Sequence, residues 1–317
     1  MKRKSFLPLL AVLLLLACSP KEQNPFYTEW DTPFGIPPFS QIKVEHYMPA
    51  MQKGITEHQA EIDAIANSIE PPTFENTIVA VEYSGKLLDR VTEVFFSLNS
   101  AVTNEQMQAV AKEAAPLLSE HNDNIILNDK LFQRVKAVYQ QRESLTLTPA
   151  QDRLLEDYYK RFVRNGADLS DADKEKLRAI NKELSVLTLQ FGENVLKETN
   201  KYEMVLEDEK DLAGLPDFVV SAASEAAADK GYEGKWLFNL QKTSWIPFLQ
   251  YSDRRDLREK LYTAWMMIGD NNDEIDNKDI VEKIVMLRLD RSNLLGYSTY
   301  ADFALEDAMA KTPANVY

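Results

Sequence analysis

The chain has 317 residues, 44% of them apolar and 27% charged, proportions that exclude a disordered or fibrous protein. A formal charge of -14 repels phosphate backbones, so no nucleic acid is expected as a partner. Cys18 is the one cysteine, which rules out an intrachain disulfide.

Lys2, Arg3 and Lys4 precede an apolar run from Phe6 to Leu16. As a helix this run would span about 16 Å, roughly half of a bilayer core. It therefore reads as the apolar region of a signal peptide and not as a membrane span. The run ends in Leu15-Leu16-Ala17-Cys18 and gives way at once to polar Ser19-Pro20-Lys21-Glu22-Gln23. The boundary resembles the lipobox of bacterial lipoproteins, in which a small residue precedes the cut and a thiol takes the lipid. That resemblance implies residues 1–18 as a lipoprotein signal with Cys18 as the lipid anchor. The body would then be exported and membrane-anchored on the periplasmic side or cell surface, since buried acyl methylenes contribute about 0.8 kcal/mol each. An ordinary signal peptide with a coincidental cysteine is the alternative.

Residues 19–40 hold Pro25, Phe26, Trp30, Pro33, Phe34, Pro37, Pro38 and Phe39. So many prolines prevent a regular helix, and the aromatics suggest an arm packed on the body. From residue 41 to 317 the helical period dominates. Val44, Tyr47, Met48, Met51, Ile55, Ile62 and Ile65 share one helix face. A second helix is expected from Thr73 as N-cap, striped by Ile78, Val81, Leu88, Val91, Phe95 and Leu98. Helices follow at about 104–120 and 129–142. Thr148-Pro149-Ala150-Gln151 is a capping box with proline at the first helical position, and Asn165-Gly166 ends that helix. Ser170-Asp171-Ala172-Asp173 opens a long one, striped by Leu177, Ile180, Leu184, Leu187, Phe191 and Val195.

After residue 200 the period changes. Tyr202–Leu206 and Lys235–Leu240 are short and aromatic or β-branched, hence strands, with a helix between them from Pro216 to Lys230. Helices return at about 253–268, 277–295 and 299–310, and Thr312-Pro313 starts another. The fold class is mostly α, a helical lobe with a few short strands after residue 200.

No self-contained active site emerges. The three histidines are His46, His58 and His121, and none begins H-E-x-x-H. His46 and His58 would lie about 18 Å apart along one helix, so they cannot grip one metal together; all three read as surface or packing residues. Asp270-Asn271-Asn272-Asp273-Glu274 fails as a calcium loop, because Ile275 and Val281 stand where glycine and glutamate are required. Trp236, Trp245 and Trp265 fit a core better than a peptide groove.

Several blocks carry a resemblance. Glu70-Pro71-Pro72-Thr73-Phe74-Glu75-Asn76-Thr77-Ile78-Val79-Ala80 and Leu257-Arg258-Glu259-Lys260-Leu261-Tyr262-Thr263-Ala264-Trp265 resemble the thimet oligopeptidase-like zinc metallopeptidases. Leu294-Leu295-Gly296-Tyr297 and Met309-Ala310-Lys311-Thr312-Pro313 follow in the same order. Arg161-Phe162-Val163-Arg164-Asn165-Gly166-Ala167 and Gly234-Lys235-Trp236-Leu237-Phe238 are most similar to the bacterial dipeptidyl carboxypeptidases, the peptidyl-dipeptidase branch. The resemblance covers about residues 24–317. It implies a two-lobed, largely helical peptidase with a deep channel, one zinc held by H-E-x-x-H and a later glutamate, and short peptides cut to release C-terminal dipeptides.

In relatives the zinc motif lies downstream of the Thr312-Pro313 block, and the sequence stops at Tyr317. A single helical turn gains little against its nucleation cost, so the expectation is the N-terminal portion of such an enzyme, truncated before the C-terminal zinc lobe. No catalytic residue and no metal ligand is then expected in this chain, and alone it should be inactive with no zinc bound. The alternative is a non-catalytic lipoprotein that binds peptides or a partner protein.

Overall fold

Several helix starts in this chain are set by side chains that take otherwise unpaired amides. Thr148 Oγ1 accepts from the Gln151 amide while Gln151 Oε1 accepts from the Thr148 amide, the reciprocal pattern its spacing predicts. Thr73, Asn104, Asn128 and Ser170 accept in the same way from residues three further on.

The computed structural model describes residues 24–317; Cys18 and the leader around it lie outside the described residues. The architecture is mostly α. In chain order the main helices are α1 (Val44–Ala66), α2 (Lys86–Val102), α3 (Glu105–Ile126), α4 (Asp129–Gln140), α5 (Pro149–Arg164) and α6 (Asp171–Lys201). Strands β1 (Met204–Leu206) and β2 (Trp236–Phe238) pair antiparallel, Val205 facing Leu237, around α7 (Asp217–Asp229). The chain continues with α8 (Lys242–Tyr251), α9 (Arg255–Met266), α10 (Lys278–Leu294), α11 (Tyr300–Leu305) and α12 (Pro313–Val316). No helix among the described residues is long and apolar enough to cross a membrane.

Three apolar clusters hold these elements. Tyr47, Met51, Val91, Phe95 and Ala111 join α1, α2 and α3. Ile62, Ile78, Phe132, Leu155, Phe162 and Leu177 join α1, α4, α5 and the start of α6. Met204, Val219, Phe238, Phe248 and Leu261 bury the strands against α7, α8 and α9. Each fully buried aromatic contributes about 2 kcal/mol through lost water contact. Trp245 and Trp265 stack at 4.4 Å against the third cluster, which is a packing role.

Four expectations are corrected. The helix expected from Thr73 through Leu98 is broken in two. A π-helical segment, Phe74–Val79, runs into a short turn that ends at Tyr83, and Gly85, at φ +76°, starts α2 afresh. A left-handed glycine is compatible with a turn and not with a helix interior. The arm is anchored only at its start: Phe26 is fully buried, whereas Phe34, Ile36 and Phe39 are exposed. Lys242–Tyr251 forms a helix where none was expected, carrying Pro247 inside. The helix expected over 299–310 stops at Leu305, because Arg164 takes the Phe303 carbonyl at 2.7 Å and pairs with Glu306 at 2.7 Å; the guanidinium acts as its C-terminal cap.

Candidate functional site

The expected stripe of α6 does not face a core. Of Leu177, Ile180, Leu184, Leu187, Phe191 and Val195, only Leu177 is buried. α6 runs antiparallel to α3, since Asn181 meets Asp123 near one end and Glu193 meets Lys112 towards the other. Between them, the end of α2 and Arg291 of α10 opens a cleft of about 1170 Å³. Gln108, Ala115, Ser119 and Asn122 recur on one face of α3, and Asn181, Ser185, Thr188 and Gly192 on one face of α6. The walls thus interleave small, amide- and hydroxyl-bearing side chains with the apolar Val102, Leu184, Leu189 and Leu196. A surface of that kind suits the backbone of an extended chain, which offers a donor and an acceptor at nearly every residue.

Asp123 sits at one end of this cleft, almost fully buried. Burial pushes its carboxyl up to about 6, opposed by the Asn181 amide at 2.8 Å and by the charges of Arg178 and Arg291. Arg291 is itself lowered by burial and donates to Asn165 Oδ1 at 2.9 Å. Farther along, Glu193 is buried; its Oε2 pairs with Lys112 at 2.8 Å, and its Oε1 has no hydrogen-bond partner among the described residues.

The histidines behave differently from one another. His46 Nδ1 accepts from the Lys43 amide at 3.1 Å and closes the first turn of α1. His58 on α1 and His121 on α3 meet, Nδ1 to Nε2, at 3.0 Å. Sequence reading did not bring this pair together, because 63 residues separate them and no local pattern marks the contact. Ser84 Oγ donates to the Val81 carbonyl at 2.7 Å, so it accepts from His58 Nε2 at 3.0 Å. His58 Nδ1 is therefore the acceptor from His121 Nε2–H. His121 Nδ1 is left buried and without a hydrogen-bond partner among the described residues. Burial first, then the neighbouring His58, pushes His121 down to about 4.

These residues do not fit a catalytic zinc. Three of the four ring nitrogens of His58 and His121 are turned on each other and on Ser84, which leaves only His121 Nδ1 free, and further ligands are lacking. Among the described residues no group of three or more His, Cys, Asp or Glu side chains could hold a metal ion. The Asp270–Glu274 loop offers no cage either: Asp273 pairs with Lys201 at 2.9 Å, Asp270 with Lys278.

Residues 248–317 match the family model for peptidase family M3. The chain is 41% identical over 290 residues to the dipeptidyl carboxypeptidase of Escherichia coli (strain K12), covering 92% of this chain and 43% of that protein. It is 38% identical over 290 residues to the Salmonella typhimurium dipeptidyl carboxypeptidase, again 92% and 43%. With the Haemophilus influenzae oligopeptidase A the identity is 32% over 288 residues, 89% of this chain and 42% of that one. The chain thus spans well under half the length of the curated relatives it matches. By this identity, sustained along nearly all of its own length, the chain belongs to peptidase family M3.

Proposed function

We propose that this chain is the helical, substrate-embracing part of a zinc metallopeptidase of peptidyl-dipeptidase type, which releases C-terminal dipeptides from short peptides. The observation that carries the reading is 41% identity to a dipeptidyl carboxypeptidase across 92% of this chain. In this reading the cleft between α3 and α6 receives the peptide, and the zinc of the family is supplied by a lobe that the described residues do not include. Zinc in such enzymes activates a water for attack on the peptide carbonyl. No step of that kind is assigned to the residues described here, which bind and orient.

The exposed apolar surface supports a missing lobe over a free-standing binding protein. Val281, Val285 and Met286 of α10 and Tyr262 and Met266 of α9 are all exposed, and all lie within the segment matching the family model. On α10, Val281 and Val285 are four residues apart and so share a helix face, an apolar face that a partner lobe would cover. The proposal includes anchoring through lipid on Cys18, which places the peptidase on the outer side of a membrane.

The test uses the purified chain from Ser19 onward. It should retain no zinc after dialysis against a weak chelator and hydrolyse no N-blocked tripeptide. The same chain expressed with the zinc lobe of a dipeptidyl carboxypeptidase should release dipeptides. Failure of the combined protein to cleave, with zinc bound, would refute the peptidase role.

A further inference from the structure

Gly192 is the odd residue of the cleft. It lies deep inside the 31-residue helix α6, where glycine costs roughly 1 kcal/mol relative to alanine. Nothing in the fold explains that cost: its φ is not left-handed, and a Cβ added there would meet no atom within 4 Å. Packing therefore does not demand a glycine. The position lines the cleft, so the space above it is open to whatever the cleft holds.

The next residue gives an independent sign of a ligand. Glu193 lines the same cleft and is more than nine-tenths buried, yet one carboxylate oxygen finds no donor. A buried acceptor left unpaired costs free energy. Lys112 serves the other oxygen, and no other donor in the described residues reaches Oε1. A bare helix surface beside an acceptor lacking a donor suits one ligand class, a polypeptide main chain, whose N–H groups approach closely only where no Cβ intervenes.

We propose that Gly192 and Glu193 form a subsite for the main chain of an extended peptide. The peptide backbone lies across Gly192, and a peptide N–H donates to the Glu193 carboxylate after a small turn about its last side-chain bond. This deepens the reading that the cleft receives peptide and rests on it. It adds that affinity there is sequence-tolerant, because the contacts are to backbone, and that α6 forgoes stability for access.

The experiment compares Gly192→Ala, Gly192→Val, Glu193→Gln and, as control on an exposed neighbouring position, Gln190→Ala. Each is made in the full chain, with thermal melting and fluorescence anisotropy of a dye-labelled hexapeptide as readouts. Gly192→Ala should raise Tm by about 2 °C from helix propensity while weakening peptide binding severalfold. Gly192→Val should weaken it further, and Glu193→Gln by about tenfold, the loss of one charge-assisted hydrogen bond. Gln190→Ala should leave binding unchanged. If the unaltered chain binds the peptide and the three subsite variants match it within twofold, the subsite is wrong while the peptide cleft stands. If the unaltered chain binds none of several hexapeptides at millimolar concentration, the cleft reading fails, and the subsite with it.

Discussion

His58 Nδ1 accepts a hydrogen bond from His121 Nε2 at 3.0 Å, tying α1 to α3 beside the turn at Ser84 and Gly85. Both rings are neutral in this arrangement. His58 is lowered by burial; Asp89 and Glu61 work against that shift and Arg161 with it. His121 is lowered from 6.5 to about 4. Between those two values the unfolded chain holds a proton that the folded chain refuses, so folding stability falls as pH drops through that window. His121→Gln removes the penalty. Relative to the parent, the variant should gain about 2 kcal/mol on going from pH 7 to pH 4.5, whatever its fixed cost from lost packing. Urea unfolding at the two pH values measures the difference; a parallel pair of pH profiles would refute the assignment.

Asp123, two residues from His121, works in the opposite sense. Its carboxyl is raised from 3.8 to about 6, so the folded state takes up a proton first and stability falls as pH rises from about 4 through 6. Asp123→Asn should therefore match the parent near pH 3.5 and exceed it by about 2 kcal/mol at pH 8, provided the Asn181 contact is kept. In the parent the two groups largely offset each other over the shared interval. The double variant should accordingly show a flatter pH profile there than either single one.

How legible this was differs sharply by range. Thr148, Ser170 and Asn165-Gly166 announced their helix ends because capping chemistry is local, contained within four residues of sequence. The break at Ser84-Gly85 was masked by an apolar stripe that kept its period across the gap from Val81 to Leu88. The stripe of α6 has the look of a core because an open cleft and a buried face use similar spacing; only the third dimension tells that Leu184 borders empty space. The pairing of His58 with His121, and of Asp123 with Asn181, depends on how α1, α3 and α6 are stacked. No single-helix pattern carries that information. The lone glycine at 192 was the one available signal for the cleft, since a mid-helix glycine without a turn asks for a reason.

Gly85 offers a sharper structural test. It sits at φ +76°, and a Cβ there would fall 2.7 Å from His58 Nδ1. Alanine at this position adds left-handed strain and drives the His58 ring from its two partners. Gly234 has a similar φ, +74°, with nothing within 4 Å, and isolates the strain alone. Gly234→Ala should cost about 1 kcal/mol and Gly85→Ala about 3 kcal/mol. Equal losses in denaturant melts would mean that the histidine ring yields without cost.

The N-terminal arm is held by one aromatic and a few polar clasps, which makes its anchoring measurable. Phe26 is fully buried, 5.6 Å from the Tyr47 ring and 5.9 Å from Trp30. Asn24 donates to the His46 carbonyl at 2.7 Å, and Arg90 to the Thr28 carbonyl at 2.8 Å while lying over Trp30. Phe34, by contrast, is wholly exposed. Phe26→Ala leaves a cavity between α1 and α2 and should cost about 3 kcal/mol. It should also release residues 24–42 to proteolysis well before the helices are cut, because the clasps alone do not offset the ordering entropy of the arm. Phe34→Ala should change neither stability nor cleavage rate. Limited chymotrypsin digestion followed by mass spectrometry, read at Tyr27, Trp30 and Phe39, which both variants keep, distinguishes the two. An arm that stays protected in Phe26→Ala would place its anchor in the polar contacts and not in the buried ring.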